Sequence, residues 1–82
     1  MASNPSTRAQ RQTEIALLRA IPNLSPTELK VCLLILQELS TREIAGQLRI
    51  SERTVQNHRY NIRKKMGGEG NLIAELMKRR SG

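Results

Sequence analysis

The 82-residue chain has no Phe, no Trp, no Asp and a single Tyr. Without large rings, any core must be built from Leu, Ile, Val, Ala and Met. That supply, set among many Glu, Gln, Arg and Lys, favours helix by propensity. Only three Pro and five Gly interrupt the chain, and it shows neither an alternating strand pattern nor an internal repeat. One cysteine, Cys32, excludes an internal disulfide. It sits in an apolar run and reads as a small core residue in a reducing compartment. The one histidine, His58, has no Cys, His or Asp at ligand spacing, which argues against a metal. No acid–base pair or nucleophile constellation appears, so neither an enzyme nor a cofactor is expected. With no secretory leader and no apolar run of membrane-spanning length, the expectation is a soluble, cytoplasmic protein with no membrane partner.

What is present is positive charge. Fourteen Lys and Arg face seven Glu, a net charge of +7 with a pI near 10.8. Such an excess suits a polyanion, or is simply the property of a basic soluble domain. The length allows one domain.

The polar stretch 1–6 is expected to be disordered, followed by a helix over 7–21 that packs on the remainder. On this helix Ile15, Leu18 and Ile21 share a face, and Ile15 and Leu18 are expected to cover the next helix. Pro22-Asn23 breaks the pattern. Ser25-Pro26-Thr27-Glu28 is a helix start with a capping box, opening a helix to about residue 38. That helix has a core stripe of Leu29, Cys32, Leu33 and Leu36 and a second stripe of Val31 and Ile35, so it should be covered on more than one side. Ser40 with Glu43 repeats the box and begins a short helix over 41–47 that buries Ile44, Ala45 and Leu48. After a turn at Arg49-Ile50, Ser51 caps a third helix, with Thr54 where a box would prefer Glu. It runs to Met66, and Gly67-Gly68 ends it. Asn71 can cap a last helix carrying Leu72, Ile73, Leu76 and Met77. The fold expected is all-α: a small helical bundle containing a helix-turn-helix over 41–66, with an extra N-terminal helix.

Charge concentrates on the third helix of this core. Arg49, Arg53, Arg59, Arg63, Lys64 and Lys65 face only Glu52 between residues 49 and 65. At about 100° per residue, Val55, Ile62 and Met66 fall on one side. Arg53, Gln56, Asn57, Tyr60, Arg63 and Lys64 fall opposite, in a stripe about 120° wide. Amides can pair with base edges and cations can neutralise phosphates. An ordinary solvated face would more often pair Glu with Lys. His58 suits a phosphate or an intramolecular hydrogen bond. Arg59 sits nearer the core side, where it could snorkel or pair with a Glu. Tyr60, alone among aromatics, cannot form a single-strand stacking platform.

The segment 24–67, LSPTELKVCLLILQELSTREIAGQLRISERTVQNHRYNIRKKMG, resembles the LuxR-type helix-turn-helix domain of bacterial transcription regulators. Its markers are LSPTE, LSTREIA, ISERTVQNH and IRKKMG. The leading IPN and trailing NLIAELM resemble a subgroup that ends larger sensory or signalling proteins. The resemblance implies a four-helix domain over 22–80 that binds double-stranded DNA, the third helix reading the major groove and the last pairing two protomers. By position, Gln56, Asn57 and Tyr60 stand where the family reads bases. Arg53, Thr54, Arg63 and Lys64, with Thr41 and Arg42, stand where it grips phosphates, and a helix N-terminus suits an anion. Ile73 and Met77 would form the dimer contact. The family usually has Gly at the position of Arg49, so Arg49 must accept φ > 0 or the turn must take another form; Arg49 could also touch phosphate. Two other readings stay open: a protein-interaction helix-turn-helix that does not bind DNA, and a sigma-factor-like promoter reader, against which the TVQNH segment argues.

Overall fold

The computed structural model describes residues 5–67, 74 and 76–78, and these include no strand. Four helices follow in order: α1 (Pro5–Ala20), α2 (Pro26–Leu36), α3 (Thr41–Leu48) and α4 (Glu52–Lys65). Ala74, Leu76, Met77 and Lys78 are also helical. The expected cap Asn71 and the apolar Leu72 and Ile73 lie outside the described residues, as do residues 1–4.

The three core helices begin on serines in near-identical extended conformations. Ser25 Oγ accepts from the Glu28 amide at 3.1 Å, and Glu28 Oε1 accepts from the Ser25 amide at 2.8 Å. Ser40 and Glu43 repeat both bonds at the same lengths. The amide bond to Ser40 holds the Glu43 carboxyl below its ordinary range. At Ser51 only half of the box forms. Its Oγ accepts from the Thr54 amide at 3.0 Å, and the two hydroxyls lie 2.9 Å apart. Each cap satisfies a donor that the first turn leaves without a partner.

Two helices end on left-handed residues that are not glycine. Glu38 has φ 64 and Arg49 φ 58. After α2, the Glu38 amide donates to the Ile35 carbonyl at 2.8 Å and the Leu39 amide to Leu34 at 3.3 Å. This Schellman closure ends α2 at Leu36 rather than at the expected Glu38. After α3, the Ile50 amide reaches back to the Ala45 carbonyl at 3.1 Å. Arg49 therefore takes the φ > 0 alternative, and the short turn between α3 and α4 is kept. A Cβ in this region costs about 1 kcal/mol. Arg49→Gly should accordingly stabilise the fold by up to about 1 kcal/mol, raising the thermal midpoint by roughly 5 °C. A calorimetric scan showing a lower midpoint for the variant would mean that the Arg49 side chain contributes more than its backbone strain costs.

The core joins Leu17 and Ile21 of the N-terminal segment, Val31, Cys32 and Ile35 of α2, Ile44 of α3, Val55 and Ile62 of α4, and Leu76. α4 packs on both α2 and α3, and α1 packs on α2. The wide apolar surface of α2 is thus covered from several sides. The covering residues on α1 differ from those expected. Leu17 is wholly buried, whereas Ile15 and Leu18 are 47% and 40% exposed. The helix meets the core along Leu17 and Ile21, one turn apart, which turns Ile15 and Leu18 toward solvent. The helix also starts two residues earlier than its pattern indicated, at Pro5 rather than residue 7. Burial pushes the Cys32 thiol up to about 12, and the nearby Glu28 charge adds to this.

Candidate nucleic-acid interface

α4 presents two unlike sides because its sequence alternates them at helical spacing. Val55 and Ile62, seven residues apart, are wholly buried. Gln56, Asn57, Tyr60, Arg63 and Lys64 are exposed, and so is Arg53. Tyr60 is 62% exposed, and the Lys64 ammonium lies 5.4 Å from its ring centroid. That distance is within cation–π range. Gln56, Arg59, Tyr60 and Arg63 together line a shallow surface hollow. Arg42, Arg49, Arg53, Arg59, Arg63 and Lys64 form no ion pair with a described residue.

The remaining candidates sit at the edges of this face. Thr41 and Arg42 open α3, Thr41 half-buried and Arg42 exposed. Thr54 and His58 are half-buried. The Thr54 hydroxyl is engaged with Ser51, which leaves it spare acceptor capacity but fixes its orientation. Arg49, exposed, closes α3 three residues before the start of α4. Of the two expected dimer contacts, Met77 is 36% exposed, and Ile73 lies outside the described residues.

Lys65 belongs to the basic run of α4 but is turned to another use. Its Nζ donates to Glu28 Oε1 at 2.5 Å and to the Asn23 carbonyl at 2.8 Å. Glu28 is only 5% exposed. Burial raises the Glu28 carboxyl, but the bonds from Lys65 and the Ser25 amide, with the Lys65 charge, outweigh it and hold the group below its ordinary range. The pair ties the C-terminal end of α4 to the first turn of α2 and the loop before it. One of the six cations counted between residues 49 and 65 is therefore structural. Arg59 is half-buried at the edge of the exposed face, in keeping with its place nearer the core side, and pairs with no Glu among the described residues. Its spacing of three residues from Gln56 and four from Arg63 was the available signal. Nothing in the local sequence pairs Glu28 with Lys65, thirty-seven residues away.

Among the described residues no group of three or more His, Cys, Asp or Glu gathers as a metal site, and no helix is long and apolar enough to cross a membrane.

Comparison with known proteins gives a consistent result. The sequence profile described as bacterial regulatory proteins, luxR family, matches residues 22–74. The chain is 41% identical over 59 residues to the spore germination protein GerE of Bacillus subtilis (strain 168), covering 70% of this chain and 80% of that protein. No solved structure matches the chain.

Proposed function

Given that the chain belongs to the luxR family of bacterial regulatory proteins, a family of regulators and not of enzymes, we propose that it binds duplex DNA by laying α4 in the major groove, as the output domain of a transcription regulator. The observation that carries this reading is the bare face of α4. Gln56, Asn57 and Tyr60 lie exposed between cations that no carboxylate among the described residues neutralises. A B-form major groove accepts one helix and presents there a donor and acceptor pattern that amides can distinguish. The buried Val55 and Ile62 seat the helix on α2 and α3, so its exposed side is held by the core rather than by the DNA.

In this reading, Arg53, Thr54, Arg63 and Lys64 of α4, with Thr41 and Arg42 at the start of α3, grip phosphates and set the register, and His58 adds a phosphate contact from the edge. Gln56, Asn57 and Tyr60 then meet base edges. Pairing through the last helix, at Ile73 and Met77, would present two copies of α4 to two half-sites. The domain would act in the cytoplasm, as part of a larger sensory protein.

Selection of bound DNA from a random pool, followed by competition binding, tests this. Gln56→Ala or Asn57→Ala should relax preference at one or two positions, costing the preferred site about 1–3 kcal/mol while random DNA binds as before. Equal losses on preferred and random duplexes would remove both residues from base reading. A folded wild-type protein that binds no duplex even at low salt would leave the protein-interaction reading.

A further inference from the structure

The hollow on α4 supports an assignment that rests on the major-groove reading but goes beyond its three base readers. Gln56, Arg59, Tyr60 and Arg63 line this open hollow. Gln56 stands three and four residues from Arg59 and Tyr60, and Arg63 stands four and three residues beyond them, so the four side chains border one patch of the helix surface. Arg59 is half-buried in this patch, and neither it nor Arg63 has a carboxylate partner among the described residues. Two guanidinium groups four residues apart on one helix repel each other. An acceptor placed between them relieves that repulsion.

The chemistry of the patch selects among bases. A guanidinium carries donors and no acceptor. In the major groove guanine offers two acceptors, N7 and O6. Adenine sets a donor beside its one acceptor, cytosine offers a donor, and thymine gives one acceptor beside a methyl group. The donor-only fork of Arg59 fits the first of these and faces a donor with adenine or cytosine. The Gln56 amide can donate or accept, so it adapts to either purine and does not discriminate alone. We propose that Arg59 is a further specificity-determining residue, which selects a guanine in each half-site while Arg63 beside it holds a phosphate.

Random-pool selection with the wild type, Arg59→Ala and Arg59→Lys tests this, each protein first shown to melt cooperatively. The wild type should enrich guanine at one position per half-site, and replacing it by adenine should weaken binding about tenfold. In Arg59→Ala that penalty should shrink to within about twofold at this position alone, the other positions keeping theirs. Arg59→Lys, which keeps the charge but loses the planar fork, should recover overall affinity more than guanine preference. The assignment is overturned if the guanine penalty persists in Arg59→Ala, or if that variant weakens all sequences alike, as loss of a phosphate contact would. A wild-type protein that binds no duplex overturns the reading of α4 and this assignment together. Selective binding without the guanine effect overturns only the role of Arg59.

Discussion

Raising monovalent salt from about 50 to about 200 mM is expected to weaken DNA binding by roughly 150-fold for one domain on one half-site. The figure follows from Arg42, Arg53, Arg63 and Lys64, each exposed and each without a described ion-pair partner. At about 0.9 counterions released per neutralised phosphate, four contacts give a log–log slope near −3.6. Lys64→Ala should reduce the slope by about 0.9 and weaken all sequences alike. Lys65→Met should leave the slope unchanged, because Lys65 is spent on Glu28 and the Asn23 carbonyl. Fluorescence anisotropy across a salt series decides between them. A slope that responds to Lys65 but not to Lys64 would mean that the two lysines had been assigned the wrong way round.

The second large effect is on stability. Glu28→Ala should cost about 2 kcal/mol, a fall of roughly 10 °C in the thermal midpoint. The substitution removes half of the capping box on α2 and leaves Lys65 without its carboxylate. Lys65 retains partial access to solvent, with 29% of its side chain exposed, so the loss falls short of that for a fully buried pair. The pH dependence has a definite sign. The folded state holds the Glu28 carboxyl below its ordinary range. Its contribution is therefore complete above the unfolded-chain value and is lost as pH falls through the folded one. Melting curves from neutral to acidic pH should show the wild type losing its advantage over Glu28→Gln on the acid side. Parallel curves for the two proteins at every pH would refute a charged role for Glu28.

Much of the fold was legible because the signals are local. Ser25 with Glu28, and Ser40 with Glu43, each place a cap and its partner within four residues. The two sides of α4 follow from the spacing of Val55 and Ile62 against Gln56, Asn57 and Lys64. What was not legible depended on packing. Helical periodicity allows two apolar faces on α1, and only the approach of α2 decides for Leu17 and Ile21 over Ile15 and Leu18. The end of α2 was overrun because Glu38 is an ordinary helix former whose left-handed turn is imposed by the Schellman bonds. At the interface, the exposure of the α4 face could be read from the pattern. The withdrawal of Lys65 could not, since Glu28 is remote in sequence, and Arg59 lay near the boundary between the two sides.

The serine caps have a consequence for the order of assembly. Ser25, Ser40 and Ser51 each fix a helix start with bonds to residues three positions on. Those bonds close loops so short that they cost little chain entropy and require no distant neighbour. The caps thus bias where helices begin in the expanded chain, although helices this short gain most of their stability on docking. Topologies dominated by such near-neighbour contacts reach the native state in microseconds to milliseconds.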